Sequence, residues 1–418
     1  MPRQRGNVSL LVVGAGDRGN VYADYARTHP DAGRIVAVAD PRPDARAAFA
    51  RRHALPPNRC FTDWTEALTA GRHADAVVIA TPDRVHASPA VAFADAGWNI
   101  LLEKPLAPTP MECRQVVHAA KRNGIVFAVC HVLRYTNYTA TLKTMISEGR
   151  IGDVVGAQRL EPVGWWHFAH AYVRGNWRRE AESSSVLLAK CCHDLDWLRH
   201  VLGVPCERIA SFASLHHFRH EQMPAGAAPR CLDCKLEPGC AYSAVRLYLG
   251  DFARPDESWP AGVVAQPPRP ERLREALRTG PYGRCVYACD NDVPDQQVVM
   301  MEFAGGRTAT LTMSAFTPAA QRRTVIFGTH GWLVGNGSSI ESCDFRTGRQ
   351  ETHEVTGAGA RHGGGDDALM ECFLRAVAKD DLSLLLSTPE ETLSSHLMAF
   401  AAERARHENR IVSLQEDT

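Results

Sequence analysis

The chain has 418 residues, 45% apolar and 22% charged, the balance of a globular protein that buries a core and has room for two or three domains. Lys+Arg and Asp+Glu both number 47, so no global basic field draws the protein to nucleic acid or to an anionic membrane. No apolar run reaches the roughly 18 residues that a membrane-spanning helix needs.

The basic start leads into an apolar, β-branched run at 8–13, which passes straight into glycines. That reads as a first strand buried on both faces rather than as a signal peptide. With no export signal, a cytoplasmic protein is expected, and the 13 cysteines are expected as thiols or metal ligands. Helical spacing at 20–28 and a second buried strand at 35–39, ending on Asp40, come next. Helices at 45–53 and 64–70 precede a strand at 76–80. A helix at 89–96 ends at Gly97, a natural C-cap, before a strand at 99–102. A helix at 111–122 and a strand at 126–129 complete the series. Strands alternating with helices predict βαβ units and a doubly wound parallel sheet, a Rossmann domain over 1–130.

Beyond residue 130 the rhythm changes. Helices are predicted at 138–147 and 187–202 and a strand at 154–161, then long loops at 216–238 and 254–282, the first bearing cysteine and the second proline and arginine. A hairpin at 297–303 and 307–314 turns on Gly305-Gly306, with further strands at 324–328 and 331–334 and helices at 366–377 and 389–407. This predicts an α+β domain over 131–418 on an open, largely antiparallel sheet, with a cysteine-bearing insertion near 205–295.

Gly14-Ala15-Gly16-Asp17-Arg18-Gly19 matches G-x-G-x-x-G between a strand and a helix, and Asp40 stands 21 residues after Gly19 at a strand end. In that context the glycines serve a tight turn, the approach of a diphosphate and close packing of helix on strand. The helix N-terminus offers free N–H groups to phosphate. Asp40 suits the adenosine ribose hydroxyls and favours NAD. Arg42 keeps NADP open as the receiver of a 2′-phosphate, its simpler reading being a solvated loop cation.

Thr81-Pro82-Asp83-Arg84-Val85-His86 and Glu103-Lys104-Pro105 follow in order. With the glycine fingerprint they make the chain resemble the glucose–fructose oxidoreductase / inositol dehydrogenase (Gfo/Idh/MocA) family, and the resemblance runs on through Arg134 and Ile151-Gly152. It implies a nicotinamide-dependent dehydrogenase acting on CH–OH groups of a sugar, amino sugar or cyclitol, working as a homodimer or homotetramer whose sheet forms the contacts. Thr81, Pro82, Asp83 and His86 would lie beside the cofactor. Glu103 and Lys104 would sit where nicotinamide meets substrate, with Lys104 bonded to the reacting hydroxyl.

The family's second catalytic segment usually carries an aspartate four residues before a histidine. Here residues 183–196 read SSSVLLAKCCHDLD, so His193 takes the histidine position and Ala189 replaces the aspartate. Imidazole suits a general acid/base because it titrates near neutrality. Lys190, next to Ala189, supplies a cation but not a carboxylate, which opens the proton relay to question. Two alternatives follow: a glycosidase that oxidises transiently and eliminates, and a nucleotide-binding protein without catalysis. Among residues 167–178, His170, Tyr172, Arg174, Asn176 and Trp177 are candidates for a sugar pocket, as is Arg134; loop anchoring by the aromatics is the rival.

Cys231-x2-Cys234-x5-Cys240, with Cys289 or Cys285 beyond and His216, His217 and His220 before, has partial zinc-ligand spacing. A structural zinc on Cys231, Cys234, Cys240 and Cys289 and a set of packed thiols are both open. His362-Gly363-Gly364-Gly365 opens a late helix, with Asp366 or Asp367 expected as its N-cap.

Overall fold

The computed structural model describes residues 6–250, 259–357 and 361–417; the start of the predicted 254–282 loop, up to 258, lies outside them.

The first half builds a six-stranded sheet. Its elements are β1 (Val8–Val13), α1 (Asp17–Thr28), β2 (Gly33–Ala39), α2 (Pro43–Arg52), β3 (Cys60–Phe61), α3 (Trp64–Thr69), β4 (Ala76–Ile79), α4 (Ala87–Asp95), β5 (Asn99–Leu102), α5 (Pro110–Arg122) and β6 (Phe127–Val129). The strand order is β3-β2-β1-β4-β5-β6, all parallel, so the chain reverses its direction of travel beside β1. At such a switch point the strand ends open a crevice for a ligand. Strands β1, β4 and β5 are apolar along nearly their whole length because helices cover both faces. Strand β3, only two residues long, carries no periodicity that a sequence could reveal.

The second half contains α6 (Asn137–Ser147), β7 (Val154–Pro162), α7 (Trp165–Phe168), a π-helical turn at Ala169–Arg174, α8 (Val186–Leu202) and β8 (Cys206–Ser214). The insertion follows with α9 (Ala244–Leu249), α10 (Ala261–Val264) and α11 (Pro270–Thr279). Then come β9 (Gln296–Phe303), β10 (Arg307–Ser314), β11 (Arg323–Gly328), β12 (Gly331–Gly335), β13 (Ser339–Asp344), β14 (Arg349–Glu354), α12 (Gly365–Lys379), α13 (Pro389–Glu408) and β15 (Val412–Ser413). Nine strands form one open sheet, β14-β13-β12-β11-β7-β10-β9-β8-β15. Only β7 and β10 pair in parallel; every other neighbour is antiparallel. The expected α/β architecture, a doubly wound parallel sheet followed by a largely antiparallel one, is therefore what the chain adopts.

Three local expectations change. The stretch read as a proline-rich loop holds α11, which starts on Pro270 at its first turn and buries Leu273 and Leu277 one turn apart. Strands β8, β13, β14 and β15 were not expected; β8 opens on a Cys-Glu-Arg run, and its pairing with β9 rather than its composition makes it a strand. Helix α12 is capped by the backbone of Gly364, not by Asp366 or Asp367, because Gly364 adopts φ 80° and no side chain caps the helix.

Helix α12 also returns across the chain. Leu369, Met370, Phe373 and Leu374 pack with Val8, Leu10, Val12 and Tyr22 against the first sheet. The last part of the sequence thus closes the core of the first part.

Candidate active site

The three fingerprint glycines answer to different constraints. At Gly14 (φ +101°) an added Cβ would lie 2.4 Å from the Ala80 carbonyl oxygen, and at Gly19 it would lie 1.9 Å from that of Gly14. Both are excluded by backbone. At Gly16 the only neighbour within reach is Arg42 Nη2, at 3.8 Å, so this glycine borders open space at the start of α1. Gly16 caps α1 with no side-chain bond, leaving the helix end to a ligand. A dinucleotide's diphosphate fits that cradle.

Asp40, at the end of β2, is buried. Its carboxylate accepts bonds from the Ala15 N–H (2.7 Å), the Arg42 N–H (2.9 Å), and Arg42 Nε and Nη2 (2.9 and 2.8 Å). Burial would raise its pKa, but these bonds hold it below the usual carboxylate range. Arg42 folds onto Asp40 while its side chain stays 60% exposed, so it remains a solvated cation. Arg18 turns inward: Nε meets Glu103 Oε1 and Nη2 meets Asp366 Oδ1, each at 2.5 Å, with Tyr22 also bonded to Nη2. It brackets α1, β5 and α12, while Asp17 is exposed in the first helical turn. His86 is a buttress: its ring nitrogens face the Pro105 carbonyl (2.6 Å) and the Thr81 carbonyl (2.8 Å). Asp83, just after Pro82, accepts from Trp177 Nε1 (3.1 Å) and from the Ser183 and Ser184 hydroxyls (3.3 and 2.9 Å), which pins the β4 loop to the second half.

Lys104 follows β5. Its Nζ donates to the Ala189 carbonyl at 2.7 Å, one helical turn before His193 on α8. A neutral oxygen thus holds the lysine where the resemblance would place an aspartate. His193 is buried and its Nδ1 has no hydrogen-bond partner among the described residues. Burial, then the charges of Lys104 and Arg322, push its pKa well below the ordinary histidine value of 6.5. Its ring centroid lies 6.3 Å from those of His131 and His362. His362 Nδ1 bonds Asp366 at 2.8 Å, and its bond and that of Arg18 hold Asp366 at about 2 against the effect of burial.

Lys190, three residues before His193 and so on its helix face, forms an ion pair with Glu161 at 3.4 Å. Glu161 and Asp194 both contact Arg322 Nε at 2.7 Å, and Asp194 also accepts from Arg159 at 2.6 Å.

Of the sugar-pocket candidates, Tyr172 and Trp177 pack together with ring centroids 6.1 Å apart beside Asp83. The others stand elsewhere. Arg134 is spent on Asp196 (2.7 and 2.8 Å), the Leu386 carbonyl (2.6 Å) and Glu391 (3.0 Å), so it is an internal strut rather than a pocket donor. Arg174 bonds the Arg284 and Tyr242 carbonyls and Cys231, fastening the insertion. His170 bonds the Tyr248 hydroxyl at 2.7 Å and stacks on Tyr282, and burial pushes it down to about 3. Asn176 is exposed.

The zinc expectation is not supported. Among the described residues the only three Cys, His or acidic groups whose ligand atoms lie within 4.8 Å of one another are Glu180, Glu403 and His407. Cys231 packs with Leu247, Tyr248 and Leu277, and Cys234 accepts the Ala228 N–H at 3.5 Å. Cys240 is half-buried with its thiol raised by burial. Cys289 bonds the Cys285 carbonyl, with burial pushing its thiol up to about 11. These are packed thiols.

His131, Glu161 and Arg322 were not singled out from the sequence, and His362 was read only as part of the glycine-rich opening of a late helix. Only His131 had a local signal, since it lies just past β6, at the ligand-facing end of the parallel sheet.

The parallel sheet, with its glycine turn and Asp40 beside the switch point, is that of an NAD-binding Rossmann fold. The chain belongs to the Gfo/Idh/MocA oxidoreductase family: residues 8–131 match the family's NAD-binding Rossmann domain and 143–414 its C-terminal α/β domain. A 2,7-anhydro-N-acetylneuraminate hydratase of Escherichia coli is 29% identical over 47% of this chain and 50% of its own length. An Ensifer adhaerens 1,5-anhydro-D-fructose reductase is 31% identical over 43% and 52%. The chain spans about half the length of the first curated relatives it matches. Among solved structures, a levoglucosan dehydrogenase in complex with NADH aligns over 98% of this chain and 99% of its own with TM-score 0.72, at 19% identity. That likeness is one of fold.

Across the described residues, no helix is long and apolar enough to cross a membrane.

Proposed function

We propose that the protein is an NAD-dependent dehydrogenase acting on a hydroxyl or keto carbon of a sugar, amino sugar or cyclitol. The observation that carries this is Lys104 fixed at 2.7 Å against the helical turn that bears His193, at the C-terminal end of β5. Gly14, Gly16 and Gly19 with the start of α1 would hold the diphosphate, and Asp40 the ribose, which favours NAD over NADP. The nicotinamide, when bound, supplies the hydride acceptor. Lys104 spends one of its three donors on Ala189 and keeps two for the substrate hydroxyl. His193, held neutral, takes the hydroxyl proton. Tyr172 and Trp177 form an aromatic wall.

Oxidation needs the neutral imidazole, so activity is full above the His193 pKa and falls as pH drops through it. Because that pKa is depressed, the acid limb of kcat/KM is expected below 6.5. A pH–rate profile on the first sugar or cyclitol that accumulates NADH tests both statements. An acid limb that persists unchanged in His193→Asn would refute this role.

One relative's name, an anhydro-sugar hydratase, together with Ala189, supports a second reading. In it, transient oxidation, elimination and re-reduction leave no net NADH. Product release from the sugar without absorbance at the nicotinamide band would establish that reading instead.

The outer face of the nine-stranded sheet exposes Val155, Phe212, Met300 and Phe327. We read it as the contact of a homodimer or homotetramer. A monomeric mass in sedimentation would refute this. All 13 cysteines are unpaired, which suits a cytoplasmic place; cell fractionation checks it.

A further inference from the structure

Around His193 the carboxylates are already committed. Glu103 is held by Arg18 and Tyr22, and Asp366 by Arg18 and His362. Asp83 accepts from Trp177, Ser183 and Ser184. Asp194 is shared by Arg159 and Arg322, and Glu161 is in contact with Arg322 and Lys190. Position 189, where the family resemblance would place one more carboxylate, is alanine.

The cations are not equally committed. Lys190 Nζ has one ion pair, at 3.4 Å, and no side-chain hydrogen bond among the described residues. Arg322 uses Nε and Nη2, and its Nη1 has no partner among the described residues. The layering is also one-sided. The Lys190 and Arg322 side chains are 19% and 17% exposed, whereas Glu161, Asp194 and Arg159 behind them are 3%, 0% and 3%. Cationic tips left part-exposed above a buried, low-dielectric layer attract a ligand of opposite sign.

We propose that the substrate is an acidic sugar whose carboxylate seats between Lys190 Nζ and Arg322 Nη1. This rests on the dehydrogenase reading and sharpens it. Two donors from two separate side chains match the two oxygens of a carboxylate. Lys190 lies on the His193 face of α8, so a carboxylate there anchors the sugar beside the reacting hydroxyl. Lys190 is then a substrate-binding residue, and the departure at 189 has a consequence: the substrate, not the protein, brings the anion.

The test compares matched pairs, glucuronate with glucose and galacturonate with galactose, plus glucose 6-phosphate, using the full chain with NAD and following NADH. The expected result is a kcat/KM for the uronate about 10- to 100-fold above that of its hexose, the range of a charge-assisted contact. In Lys190→Gln that preference should fall about tenfold or more, through KM rather than kcat. Arg322→Lys, which keeps a cation for Asp194, should weaken it in the same way. Equal or better turnover of the neutral hexose, or of the phosphate ester, overturns the inference and leaves the dehydrogenase intact. An unchanged preference in both variants also overturns it. Failure of every member of the panel to reduce NAD counts against the dehydrogenase reading itself.

Discussion

Lys104→Ala is expected to lower kcat/KM by about 10²–10⁴-fold, the usual scale for losing a positioned proton-handling or charge-stabilising group. Nζ reaches across the crevice from the end of β5 to the Ala189 carbonyl, and no other cation approaches that carbonyl among the described residues. Lys104 is only partly buried, so its removal leaves no stranded charge and should leave the melting temperature nearly unchanged. Nucleotide affinity should also hold, because the glycine turn and Asp40 lie on other strands. Steady-state kinetics beside a dinucleotide titration separate these outcomes. A loss of less than threefold with intact nucleotide binding would remove Lys104 from the chemistry.

The second large effect falls on stability. Arg134→Ala is expected to cost about 3–5 kcal/mol, because it strands the buried Asp196 carboxylate. The guanidinium ties the turn after β6 to α8 and, through the Leu386 carbonyl and Glu391, to the start of α13. His131 does not replace it as a donor: its Nδ1 lies 3.7 Å from Asp196, too far for a hydrogen bond. Chemical denaturation of the variant reads the loss directly. Activity per folded molecule should remain near that of the parent. A raised KM at unchanged stability would return Arg134 to the sugar pocket.

These two residues show where sequence reasoning reached and where it stopped. Lys104 sits in a short motif at a strand end, and motif and placement agree. Arg134 also sits at a recognisable place, yet its partners are 62 and 257 residues away. A cation near a strand end reads alike whether it faces a ligand or a buried aspartate; only its neighbours decide. His170 and Arg174 follow the same pattern, with partners in the insertion. The cysteine spacing suggested ligands, but ligation needs convergence in space, and among the described residues no three thiols bring their sulfurs within 4.8 Å of one another.

Sequence alone determined the alternation of β1, β2, β4, β5 and β6 with their helices, the glycine turn and Asp40. Each is a local demand: a strand buried on both faces, a backbone too close for a side chain, a carboxylate at a strand end. The tertiary structure decided the rest. It brought Glu161, Arg322 and His362 to the pocket around His193 and placed α12 against a sheet built some 300 residues earlier in the chain. Charge pairing and packing between distant segments leave no periodic trace along the chain, because their partners are chosen by the fold.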